Sequence, residues 1–104
     1  MYKEALVFEL KNRRQELGEL INDIDERLDL YRKGTLVIQN DYAYIKRYEN
    51  GKTVSTYVGK HLDDGQIANI RLELQNRKTL ERRNKEYRKE YNELTKLIEK
   101  YGGQ

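Results

Sequence analysis

The stretch from Thr35 to Lys60, TLVIQNDYAYIKRYENGKTVSTYVGK, decides how this chain folds. It alone alternates in the manner of strands, and it lies between two long segments with helical spacing. Asn50-Gly51 separates the run Tyr42 to Glu49 from the run Lys52 to Val58. Asn-Gly suits a two-residue type I′ turn, because both central positions need positive φ. That turn sets a register: Glu49 faces Lys52, Arg47 faces Val54, Ile45 faces Thr56, Tyr44 faces Tyr57 and Ala43 faces Val58. A second turn at Asn40-Asp41 pairs Leu36 with Ile45, Ile38 with Ala43 and Val37 with Tyr44.

In this register the residues separate by face. Leu36, Ile38, Ala43, Ile45, Val54, Thr56 and Val58 share one side. Gln39, Tyr42, Tyr44, Lys46, Tyr48, Thr53, Ser55 and Tyr57 share the other, with Val37 as its one aliphatic. A slip of one residue would mix the two sets, so the separation supports the register. The apolar side belongs on a core. The other is tyrosine-rich, polar and basic.

Outward from the meander, residues 2–33 read as a helix. Val7, Leu10, Leu17, Ile21, Ile24, Leu28 and Tyr31 recur at spacings of three and four, with Arg14 filling one seam position. Arg32 and Lys33 would occupy its last turn, where cations suit the helix dipole, and Gly34 would end it. Residues 63–101 read as a second helix. Asp63 is its N-cap, Gln66 completes a capping box, and Leu62 with Ile67 supply the hydrophobic staple. Its seam holds Ile67, Ile70, Leu74, Leu80, Tyr87, Tyr91, Leu94, Ile98 and Tyr101. Arg77 and Asn84 interrupt it, which predicts looser packing there, and Gly102-Gly103 ends the helix. An acidic block, Glu16 to Asp29, and a basic block, Arg77 to Lys89, match if the helices run antiparallel. The expected fold is therefore α+β, one domain over residues 1–104: an antiparallel two-helix coiled coil carrying a three-stranded antiparallel β-meander, 35–60, between its helices.

Composition narrows the function classes. The 104 residues are 38% charged and 37% hydrophobic, with a net charge of +3, no Cys and no Pro. No disulfide framework or thiolate chemistry is available. No apolar run approaches the roughly 18 residues of a membrane span, so a cytoplasmic protein is expected. His61 is the only histidine and Ser55 the only serine. The meander register separates these two, which leaves no nucleophilic triad. A metal site would need more ligands than His61 with Asp63 and Asp64. No glycine spacing matches a phosphate loop. No enzyme, metal or cofactor is expected.

What rises above background is the tyrosine side of the sheet. Tyr42, Tyr44, Tyr48 and Tyr57 with Lys46 could anchor a protein interface or stack bases, or the rings could simply cover the sheet, pack on the helices or serve self-association. Arg47, Lys52 and Lys60 add positive charge nearby. Residues 31–61 hold six basic side chains against two acidic ones, which favours an anionic partner.

The segments Tyr42-Ala43-Tyr44, Arg47-Tyr48-Glu49-Asn50-Gly51-Lys52 and Tyr57-Val58-Gly59-Lys60 resemble small, largely uncharacterised bacterial and mobile-element proteins. In those, a tyrosine-rich hairpin precedes a charged coiled-coil helix. A similar hairpin occurs near the start of some insertion-sequence transposases, whose catalytic carboxylate region is lacking here. The resemblance implies a phage, plasmid or transposon setting. The element order also looks like the beta subunit of prefoldin, where exposed apolar residues at helix ends hold clients; Leu6 and Phe8 with Leu97 and Tyr101 could do this here, or could simply pair with each other. The expected function is a non-catalytic binding protein that occupies a macromolecular partner, for instance an anti-CRISPR inhibitor of a host defence complex. The partner is a protein or a protein–nucleic-acid complex. A small nucleic-acid-binding regulator and a prefoldin-like chaperone are the alternatives. A single hairpin with one small sheet buries little, so a homodimer or higher oligomer is expected.

Overall fold

The computed structural model describes residues 2–102. The elements follow in the order α1 (Tyr2–Leu28), β1 (Thr35–Gln39), β2 (Tyr42–Glu49), β3 (Lys52–Lys60) and α2 (Asp64–Tyr101). The fold is α+β: two helices flank a three-stranded antiparallel sheet of order β1-β2-β3. Packing divides the chain into two units, Met1–Leu28 with Leu80–Gln104, and Asp29–Thr79.

In the first unit, α1 and the second half of α2 pack through their seams. Leu17, Ile21 and Ile24 are buried, as are Leu80, Leu94 and Ile98. Arg13 Nε donates to Glu90 Oε2 at 2.8 Å, and Arg88 Nη2 donates to Asp25 Oδ2 at 2.7 Å, so the helices run in opposite senses. Solvent screens exposed pairs of this kind, so apolar burial holds the unit and the charges favour the antiparallel sense. The seam interruption at Asn84 makes a polar contact: its Nδ2 donates to Asp25 Oδ1 at 2.8 Å. Its own Oδ1 is buried and has no partner among the described residues, an energetic cost at this point of the seam.

In the second unit, the sheet lays Ile45 on Ile70 and Leu74 of α2, and Leu36, Val58 and Leu62 pack around them. Both turns have the φ signs that the sequence demands. Asn50 and Gly51 lie at φ 51° and 80°, and Asn40 and Asp41 at 53° and 68°. Asp63 caps α2 as a reciprocal box: Gln66 N donates to Asp63 Oδ1 at 2.7 Å, and Asp63 N donates to Gln66 Oε1 at 3.0 Å. The helix ends at Tyr101 as expected, while Gly103 lies outside the described residues.

Two expectations change. First, α1 ends at Leu28 and does not reach Lys33. Tertiary partners take the backbone groups that the last turn would have used. Arg32 N–H donates to Glu73 Oε2 at 2.8 Å, and Tyr31 C=O accepts from Arg77 Nη1 at 2.8 Å. Arg77 is thus a bridge and not a gap in the seam. Second, the β2–β3 register holds from Glu49–Lys52 to Tyr44–Tyr57 and then shifts. Ala43 pairs with Gly59 and Tyr42 with Lys60, so Val58 is the extra residue of a β-bulge and does not face Ala43. On the core side only Ala43 and Ile45, both on the central strand, are fully buried. Ile38 and Thr56, on the edge strands, are exposed.

Candidate interaction face of the sheet

Alternation along β2 sends Tyr42, Tyr44, Lys46 and Tyr48 to one side of the sheet. Tyr57 joins them as the cross-strand partner of Tyr44, with ring centroids 5.7 Å apart in an edge-on arrangement. The Tyr57 ring also lies 6.3 Å from that of Tyr42 at a 48° tilt, so three rings form one contiguous group. Such pairs contribute about 0.5–1.5 kcal/mol beyond burial. The rings remain open to solvent, with Tyr42 at 37% and Tyr57 at 56% exposure. Tyr48 stands further along the strand, 73% exposed and away from these contacts.

Lys60 reaches this face because of the bulge. A regular ladder would turn Lys60 to the same side as Val58, toward the core. The extra residue reverses the alternation, pairs Lys60 with Tyr42, and sets its Nζ 4.8 Å from the centre of the Tyr42 ring. The signal for this was Gly59, a lone glycine within a strand, which often marks a bulge. A Cβ there would stand 3.0 Å from Leu62 Cδ2, so the close approach of Leu62 also favours glycine.

Arg47 and Lys52 do not join the tyrosines. Both alternate onto the Ile45 side, where Arg47 Nη1 donates to Thr56 Oγ1 at 3.1 Å and its Nε donates to Glu49 at 3.1 Å. Charge alone had grouped them with the face; strand parity separates them. His61 follows β3 in a left-handed conformation, φ 55°, and its N–H donates to Asp41 O at 2.9 Å, closing the sheet beside the first turn. No carboxylate falls on the tyrosine side of the three strands.

The fold and this face define a class: a helix–meander–helix protein that presents an aromatic, basic sheet surface. The chain belongs to the DUF6788 family, a domain of unknown function, which matches residues 9–67. The match takes in most of α1, the whole meander and the capped start of α2. No curated protein and no solved structure matches the chain. Among the described residues, no helix is long and apolar enough to cross a membrane.

Proposed function

We propose that this is a non-catalytic binding protein that occupies a macromolecular partner through the Tyr42–Tyr44–Tyr57 face. The observation that supports it is the contiguous, half-open ring group beside Lys46 and Lys60, with no carboxylate on the same side. Rigid aromatic side chains of this kind anchor protein interfaces. A protein or a protein–nucleic-acid complex with an anionic patch is the favoured partner. The resemblance of the tyrosine hairpin to mobile-element proteins supports a phage or transposon setting, in which an inhibitor of a host defence complex, such as an anti-CRISPR, is one concrete form. The protein is proposed to act as a homodimer or higher oligomer.

Tyr44→Ala with Tyr57→Ala tests this. The core side holds Ile45 and Leu36 on α2, so helicity by circular dichroism should persist. Capture from an extract of the native cell, with and without nuclease, should yield a nuclease-resistant partner for the wild type. The double variant should lose it, by about 2 kcal/mol or more per anchor. Capture that vanishes with nuclease, and a log–log salt slope of about −0.7 to −0.9 per phosphate, would instead identify a nucleic-acid regulator. Unfolding of the double variant, or its dissociation to monomers, would make the rings structural and end the proposal.

A specific observation favours a chaperone as the second reading. Leu6, Phe8, Leu97 and Tyr101 are all exposed in the unit that contains both helix ends. Failure of the chain to suppress aggregation of an unfolded client would remove it.

A further inference from the structure

The core side of the sheet carries a second feature, within the unit Asp29–Thr79. A pocket of about 270 Å³ is lined by Arg32, Lys33, Ile45, Arg47 and Thr56. Two events bring these residues together. The early end of α1 releases Arg32 and Lys33 from the helix, and strand alternation turns Arg47 to the side of Ile45. Buried Ile45 contributes an apolar wall, and three cations and a hydroxyl surround it.

The two guanidiniums are oriented by carboxylates that do not line the pocket. Glu73 takes Nε and Nη2 of Arg32 at 2.9 and 3.1 Å, and Glu49 takes Nε of Arg47 at 3.1 Å. Those bonds, with that of Arg47 Nη1 to Thr56, leave Nη1 of Arg32 and Nη2 of Arg47 without a hydrogen bond among the described residues. Thr56 Oγ1 accepts from Arg47 and keeps its own O–H to donate. Lys33 forms no ion pair among the described residues. Three cations against two carboxylates leave the surroundings positive.

We propose that this pocket binds a phosphoryl group. The donors come from three places: the segment after α1, strand β2 and strand β3. A tetrahedral group with several oxygens can accept from all of them, whereas a carboxylate offers two oxygens in one plane. The volume lies just under the range of ordinary small-molecule sites and is ample for a phosphoryl group. The site is independent of the tyrosine face, because Arg47 and Tyr44 lie on opposite sides of β2.

The experiment is an NMR titration of the full chain with inorganic phosphate at constant ionic strength, with acetate as the comparison anion. Saturable shifts at Lys33, Arg47 and Thr56 are expected with phosphate and not with acetate. Lys33→Gln with Arg47→Gln should weaken phosphate binding about tenfold or more. Lys96→Gln, a cation elsewhere on α2, should leave it unchanged. If the double variant fails to fold, Lys33→Gln alone carries the test, since that side chain is exposed and forms no ion pair. A parallel arm with an eight-nucleotide oligothymidylate separates the sources. Displacement of phosphate by the oligomer at the same residues assigns a polymer backbone, and saturation by phosphate alone assigns a free phosphate. Absence of saturation, equal response to acetate, or unchanged affinity in the variants would overturn the proposal. The Tyr44→Ala, Tyr57→Ala chain should still bind phosphate, so the two sites fail separately.

Discussion

At the residue scale, the contact between Arg32 and Glu73 ties the segment after α1 to α2. Glu73 receives three bonds from one residue: the backbone N–H, Nε and Nη2 of Arg32. The Arg32 side chain is the main reason that the Glu73 carboxyl is held below its ordinary value of 4.5; the backbone N–H and the nearby charge add to this, and burial opposes it. The folded state therefore binds this proton more weakly than the unfolded chain. The stabilisation is complete above the ordinary glutamate pKa and is lost as pH falls through the depressed one. Glu73→Gln should lower stability by up to about 1 kcal/mol at neutral pH, because the pair is partly exposed. The gap between wild type and variant should shrink between neutral pH and an acid pH well below the ordinary glutamate value, because the lowered carboxyl then takes up its proton. Urea midpoints at both pH values measure this, and an equal gap at both would refute it.

At the scale of elements, the meander depends on how each strand begins and ends. Gly34 leads into β1 at φ 135°, and a Cβ on it would stand 2.5 Å from Lys46 O. No side chain fits between β1 and β2 there, and L residues rarely adopt that backbone conformation. Gly34→Ala is expected to destabilise by about 2 kcal/mol or more. A thermal melt within a degree of wild type would count against this. The two hairpin turns were legible because Asn-Gly and Asn-Asp state their own φ requirement. The bulge was less legible, because Gly59 signalled an irregularity and not its consequence for Lys60. The end of α1 was misread for a related reason. Arg32, Lys33 and Gly34 form a good local helix terminus, yet Glu73 and Arg77 offer the backbone partners that end the helix earlier.

At the scale of the whole molecule, charge is unevenly shared between the two units. Residues 29–79 carry nine Lys and Arg against six Asp and Glu; the remainder carries twelve against twelve. The net charge of +3 therefore resides entirely in the unit that bears both candidate sites. Anion attraction should accordingly be screened by salt at the sheet. The tyrosine face is open in the single chain, with Tyr42, Tyr48 and Tyr57 exposed, and a second copy is one partner that would cover it. Sedimentation equilibrium at micromolar concentration should detect a species heavier than 12.5 kDa. A monomer alone would remove self-association from the reading and leave the face available to other partners.

Sequence alone was enough for element order, both turns, the capping box and the separation of the sheet into an apolar and a tyrosine side. These follow from local backbone preferences and from periodicity, which act over a few residues. Tertiary structure alone decided where α1 stops, that Val58 is unpaired, that Lys60 faces Tyr42, and that Arg32 and Lys33 come to line one pocket with Arg47. Each of those depends on groups far apart in the chain competing for one donor, one acceptor or one strand position, and no local pattern records the outcome of that competition.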